Sequence, residues 1–265
     1  MSVLDRFRLD GKVAIVTGAG KGIGAAIARA FADAGADVAI TARTEADLAD
    51  VADEVRRRGR RALVRAGDVN DVTMLASLVD ATADELGGVD VVVNNAGGSL
   101  SRPFLETTVG ELEASFHFNV AVPFELCRLA VPRMLERGGG SIINIGSVAG
   151  SKAVRGSLTH SLTKSALAQL TRLMAIELAP RVRANAVLPG AIETDALRKF
   201  LDGRGATIRE TMIANTAMRR NGTPDDITPA VLYFASDASS WVSGKLLEVD
   251  GLAAAELIPK DAPDL

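Results

Sequence analysis

Seven short apolar runs punctuate this chain, and the stretches between the first six have the length and period of amphipathic helices. The runs fall at 12–17 (K-V-A-I-V-T), 37–41, 61–66, 89–94, 142–145, 182–188 and 245–249. The helical stretches fall at 23–34, 45–58, 71–86, 110–137 and 157–179. Apolar runs this short match strands buried on both faces. Parallel strands need a crossover between them, and a helix is the usual one, so few folds accommodate the alternation. The expectation is an α/β fold: one doubly wound parallel sheet of about seven strands flanked by helices, in a single domain over 1–265. No Pro/Ser-rich linker or repeat interrupts it. The least regular part, 193–223, scatters Leu197, Phe200, Leu201, Ile208, Met212, Ile213 and Met218 among polar residues and is a candidate substrate lid. The tail, 252–265, has two prolines and no clear period.

Charge and cysteine usage remove several function classes. A formal net charge of -3 gives no basis for nucleic-acid binding driven by bulk positive charge. The one cysteine, Cys127, excludes an internal disulfide and suits a reducing compartment. With two histidines and one cysteine there is no zinc-site spacing, and no metal is expected. The amino terminus lacks the apolar core of a signal peptide and no run is long enough to span a bilayer, so the expected location is cytoplasmic.

Directly after the first run, and directly before the first helix, residues 17–24 read T-G-A-G-K-G-I-G. In a Rossmann-type sheet, Thr17, Gly18, Gly20, Lys21, Gly22, Ile23 and Gly24 would turn tightly and aim backbone N–H groups at a pyrophosphate. The second run ends T-A-R-T, with Ala42 and Arg43 where an NAD site usually carries a carboxylate for the ribose 2′-hydroxyl. Arg43 and Lys21 suit a 2′-phosphate, so NADP(H) is favoured over NAD(H). A second constellation follows the fifth run: Ser147 at its end, then His160 and Lys164 four residues apart on one helix face. These three can converge at the sheet's carboxyl edge, where such folds bind their ligands.

The chain resembles the short-chain dehydrogenase/reductase family over nearly its whole length, most nearly its bacterial 3-oxoacyl-carrier reductase and 7α-hydroxysteroid dehydrogenase members. The glycine turn is similar to that family's nucleotide turn. Asp68-Val69 matches its adenine-contacting pair, and Asn94-Asn95-Ala96-Gly97 its N-N-A-G near the cofactor ribose. Asn119 matches the helix asparagine that holds a water of a proton relay, and Ser147 the serine that orients substrate. Residues 189–194 (Pro189, Gly190, Ala191, Ile192, Glu193, Thr194) resemble the segment around the nicotinamide carboxamide. The resemblance implies an oxidoreductase moving hydride between nicotinamide and a carbonyl or secondary alcohol. It also implies a homotetramer or homodimer built on the two long helices.

One departure stands out. The family pattern is tyrosine, three residues, lysine; here His160 precedes Lys164. Histidine starts at a pKa of about 6.5 against about 10 for tyrosine, and a neighbouring ammonium pushes it lower. Neutral imidazole is a competent base for alcohol oxidation and a poor acid for ketone reduction. The alternative is a cofactor-binding protein that has lost catalysis and acts through its assembly. A milder departure is Leu252, where a glycine is common. Plainer expectations cover the rest: His117 as a packed helix residue, Cys127 as core or interface, and the arginines at 56–58, 60 and 61 as a solvated helix end.

Overall fold

Strand β1 (Val13–Thr17) is buried along its whole length, and its alternate residues feed two separate cores. The computed structural model describes residues 2–99, 102–153, 155–201 and 206–253. In chain order α1 (Gly22–Asp33), β2 (Asp37–Ala42), α2 (Glu45–Arg57), β3 (Ala62–Ala66), α3 (Val72–Leu86) and β4 (Val91–Asn94) follow. Next come α4 (Val109–Phe116), a π-helical stretch (His117–Ala121), α5 (Val122–Glu136), β5 (Gly140–Ile145) and α6 (Leu158–Glu177). Strand β6 (Val182–Pro189), α7 (Asp195–Leu201), α8 (Ala206–Ala214), α9 (Pro224–Ala235) and β7 (Leu246–Val249) complete the described chain.

The strands form one parallel seven-stranded sheet in the order β3-β2-β1-β4-β5-β6-β7, the expected doubly wound architecture. Ala14 and Val16 face a core made with Ile27 and Phe31 of α1, Leu48 and Val55 of α2, and Val231 and Phe234 of α9. Val13 and Ile15 face the other, with Leu75 and Leu78 of α3, Leu126 and Met134 of α5, and Met174 of α6. The strand order reverses between β1 and β4, so the loops after these strands diverge and open a crevice at the sheet's carboxyl edge. No helix among the described residues is long and apolar enough to cross a membrane.

Three features depart from the periodicity. The 110–137 stretch is two helices joined by a wide π turn. The backbone N–H of Val122 bonds to the His117 carbonyl five residues back. Pro123, at the start of α5, has no N–H to close the usual bond onto the Asn119 carbonyl. Helix α9 was not read as an element, because Pro224 and Pro229 break the pattern. Pro224 sits in the first turn, where no intrahelical donor is needed, and Thr223 and Asp226 form a capping box around it. The Asp225 carbonyl, deprived of a donor by Pro229, accepts instead from the Thr228 hydroxyl at 3.1 Å. Two short helices, α7 and α8, occupy the 193–223 segment, whose residues 202–205 lie outside the described residues, as do 254–265 of the tail.

The arginine cluster is more than a solvated helix end. Arg58 pairs with Asp33 at 2.8 Å, tying α2 to the end of α1, and Arg60 and Arg61 both reach the buried Asp37 that opens β2. His117 is exposed rather than packed, since it stands on the outer side of the π turn. Cys127 is buried in the core, where it accepts a hydrogen bond from Asn94 and burial pushes its thiol up to about 12.

Candidate active site

The glycine turn is fastened to the end of β4. The Thr17 hydroxyl donates to the Val93 carbonyl (3.3 Å) and accepts from the backbone N–H groups of Asn95 and Ala96, both at 3.0 Å. The Asn95 side-chain amide donates to the carbonyls of Thr17 (2.9 Å) and Gly18 (3.2 Å). Asn95 therefore acts on this site by shaping the turn, its amide protons being spent on the backbone. Gly18 takes φ +64°, a region that side chains resist, and a Cβ on Gly24 would stand 2.4 Å from the Gly18 carbonyl oxygen. Helix α1 then begins with no side-chain cap and no acidic residue in its first turn, leaving its N–H groups to an anion. Ile23 is half-buried against the core, and Lys21 caps the turn on the solvent side.

The far end of the crevice lies over β2 and β3. Arg43, just past the tip of β2, is exposed and has no ion-pair partner among the described residues. Lys21 is paired with Asp47 of α2 at 3.2 Å, an acid that the sequence pattern did not single out. Asp68 accepts from the backbone N–H (3.0 Å) and side-chain amide (2.8 Å) of Asn70, and Val69 is buried beside it.

The near end gathers residues from four elements. A Cβ on Gly97 would stand 2.9 Å from Asn119 Oδ1 and 3.2 Å from Lys164 Nζ, so the loop after β4, the π turn and α6 meet there. The Asn119 side chain clamps that loop: its Oδ1 accepts from Gly98 N–H (3.0 Å), and its Nδ2 donates to the carbonyls of Gly98 (2.8 Å) and Ser115 (2.9 Å). With both ends of the amide occupied, any water held by this residue falls to its main-chain carbonyl. Lys164 is buried and donates to the Ile145 carbonyl at 2.9 Å. Burial pushes its ammonium down to about 8. His160 lies one turn earlier on α6, and its ring bonds to no described residue. Burial first, and then the charge of Lys164, push its imidazole down to about 4.

Ser147 follows β5 by two residues. Its hydroxyl oxygen accepts from the Ala149 backbone N–H at 3.1 Å, which leaves the hydroxyl proton free to donate. The turn it opens packs on α6: a Cβ on Gly150 would meet the Lys164 carbonyl carbon at 2.9 Å. The segment after β6 closes over the glycine turn. Pro189 ends the strand, Gly190 N–H bonds to the Val249 carbonyl (3.1 Å), and buried Ile192 bridges to Gly222. The methyl carbon of Thr194 would stand 3.2 Å from a Cβ on Gly22. Glu193 accepts from Asn221 and Arg209, and these bonds hold its carboxyl below the usual range. Beyond Asn119, a groove of about 220 Å³ opens between α4 and α6, with Gly98, Ser115, Phe118 and Thr159 on its walls. The helical period of 158–163 gave Thr159 no distinction from its neighbours.

The sequence's nucleotide turn, its N-A-G loop and its His/Lys helix thus stand around one crevice. The family model for enoyl-(acyl carrier protein) reductase matches residues 18–251. The chain belongs to the short-chain dehydrogenase/reductase family. An uncharacterised oxidoreductase of Mycobacterium tuberculosis is 46% identical over 264 residues, 99% of this chain and 100% of the relative. The 7α-hydroxysteroid dehydrogenase of Escherichia coli is 40% identical over 255 residues, 96% of this chain and 98% of the relative. A solved 7α-hydroxysteroid dehydrogenase complexed with NADH and 7-oxo glycochenodeoxycholic acid matches with a TM-score of 0.92 at 38% identity, covering 97% of this chain and 100% of that one. The protein is an oxidoreductase of this family, built to act on CH–OH or C=O groups with a nicotinamide cofactor.

Proposed function

We propose that the protein is an NADP(H)-dependent oxidoreductase that interconverts a lipophilic secondary alcohol and its ketone, with His160 in the proton-transfer position. The observation that carries this reading is the corner where Gly97, Asn119 and buried Lys164 meet, with His160 one turn along the same helix. The nicotinamide supplies or takes up the hydride when bound. The uncapped start of α1 receives the pyrophosphate, Lys164 holds the nicotinamide ribose, and Pro189 to Thr194 line the carboxamide. Lys21 and Arg43, with Ala42 and Arg43 rather than a carboxylate ending β2 itself, favour a 2′-phosphate. Ser147 donates its free hydroxyl proton to the substrate oxygen and orients it. His160 accepts the hydroxyl proton during oxidation. With its imidazole near 4, it is neutral and competent as a base throughout the physiological range. The 193–223 segment serves as the lid, and the 7-oxo glycochenodeoxycholic acid complexed with the structural relative supports a lipophilic ligand.

Assembly and location belong to the same reading. Exposed Phe116, Phe124, Leu162, Leu173 and Ile176 lie on α4, α5 and α6, which supports a cytoplasmic homotetramer or homodimer joined through these helices.

The test is oxidation of a panel of hydroxysteroids and other secondary alcohols with NADP⁺, read by NADPH absorbance. The pH profile of kcat/KM should rise through about 4, hold level, and fall through about 8 as Lys164 loses its charge. His160→Tyr should move the rising limb alkaline, because a phenol must first ionise. NADPH binding without turnover at any pH, with reduction appearing only in His160→Tyr, would instead favour a cofactor-binding protein acting through its assembly.

A further inference from the structure

We propose that Asp47 is an internal competitor for the 2′-phosphate: it holds Lys21 in the free protein, surrenders it when NADP(H) binds, and so sets how strongly the chain prefers NADP(H) over NAD(H). The inference rests on the NADP(H) reading above.

Three segments meet at this point. A Cβ on Gly20 would stand 3.1 Å from Asp47 Cβ and 3.4 Å from Ala42 Cβ, so the glycine turn, the tip of β2 and the first turn of α2 are in contact. The Lys21 ammonium lies 3.2 Å from Asp47 Oδ1, with the lysine side chain 61% exposed and the aspartate 25% exposed. The pair is thus open to a ligand in the crevice. Arg43, the other cation of this corner, has no carboxylate holding it among the described residues. Lys21 alone must exchange one anion for another.

The exchange is chemically easy. Asp47 makes no other hydrogen bond or ion pair among the described residues, and in the first turn of α2 it stays stabilised by the helix's positive end after Lys21 leaves. A phosphate dianion outcompetes a carboxylate for an ammonium, but the competition lowers net affinity. NAD(H) has no 2′-phosphate, so Lys21 stays on Asp47 and that affinity is untouched.

The experiment is calorimetric titration of the intact protein with NADPH, NADH and 2′,5′-ADP, for the parent, Asp47→Asn, Lys21→Ala and the double variant. Thermal melts serve as a check on folding. Breaking an exposed pair of this kind should raise affinity for NADPH and 2′,5′-ADP by about two- to five-fold in Asp47→Asn, with NADH unchanged. The gain should vanish in the Lys21→Ala background. A gain that persists there would mean that Asp47 only repels phosphate through space, and would overturn the proposal. So would an equal gain for NADPH and NADH, or no gain at all. A parent that binds NADH more tightly than NADPH, with Lys21→Ala changing neither, would overturn the NADP(H) reading itself. That result is distinct from failure of the competitor in a protein that does prefer NADPH.

Discussion

The two ends of the crevice are held together in opposite ways. At the nucleotide end the side chains that fasten the turn are spent on their neighbours: Thr17 and Asn95 together make five hydrogen bonds joining β1, the glycine turn and the β4 loop. At the chemical end stand an ammonium buried on a single backbone carbonyl among the described residues and an imidazole bonded to no described residue. The first end is part of what makes the sheet fold. The second opposes folding, because both cationic forms are disfavoured by burial. Substitutions at the two ends should therefore separate: one kind harms stability and binding together, the other harms chemistry while leaving the fold intact or firmer.

The largest effect is expected from Lys164→Met. Oxidation should fall on the order of 100-fold or more, since both the proposed ribose contact and the ammonium beside His160 are lost. Stability should not fall with it. Lys164 has a folded pKa near 8, below its unfolded value of 10.5, so the unfolded chain binds the proton more tightly. Stability is lowest below pH 8 and recovers as pH rises towards 10.5. Methionine removes that penalty while leaving the Ile145 carbonyl without its donor, and the two changes offset each other within about 1–3 kcal/mol. Denaturant melts at several pH values decide the matter. At pH 7 the variant should equal or exceed the parent, with its advantage narrowing above pH 8. A large loss of stability at neutral pH would show that the chemical end is as integral to the fold as the other.

Gly24→Ala breaks the opposite end. The new Cβ would press 2.4 Å from the Gly18 carbonyl oxygen and 2.5 Å from Asn95 Nδ2, so the turn must move and drag the Asn95 bonds with it. Overpacking of this kind costs about 1–3 kcal/mol. NADPH affinity should fall together with it, on the order of ten-fold, because the displaced N–H groups are the ones proposed to receive the pyrophosphate. The measurements are a denaturant melt and a fluorescence titration with NADPH. A variant that loses affinity with unchanged stability would erase the contrast between the two ends.

This contrast also explains what could be read in the residues and what could not. Strand runs such as K-V-A-I-V-T and the glycine turn carry their structure locally, in apolar composition and backbone freedom, so sheet, order of elements and nucleotide end were legible. The lost features are those where a side chain answers a distant backbone group. Helix α9 is hidden by Pro224 and Pro229, whose missing donors are excused by position and by Thr228. The π turn at Asn119 depends on Pro123 and on the loop that Asn119 clamps. Lys21 shows in sequence only as a cation of the glycine turn, because Asp47 lies 26 residues away along the chain while standing 3.2 Å away in space. The arginines at 58, 60 and 61 look solvated until Asp33 and Asp37 come into view.

The smallest effect sharpens the comparison at the base of the 193–223 segment. Leu252 takes φ +56°, a left-handed conformation that a leucine resists, directly after Gly251 at φ +64°. It is held there because the Asp250 carboxylate accepts from the N–H groups of Leu252 (3.0 Å) and Ala253 (3.1 Å). The Leu252 carbonyl in turn accepts from Ala217 N–H at 3.1 Å, in the 193–223 segment. Leu252→Gly relieves the backbone, while the extra freedom of glycine in the unfolded chain takes part of that gain back. The net is a rise of less than about 1 kcal/mol, or roughly 2 °C in Tm for a chain of this size. The side chain is 67% exposed, so little packing is lost. NADPH affinity should be unchanged, because the substitution removes an exposed side chain and leaves the backbone bonds to Asp250 and Ala217 in place. A lower melting temperature would show that the exposed leucine is covered by another part of the assembly, and would move this corner from the strained end of the molecule to the end that holds it together.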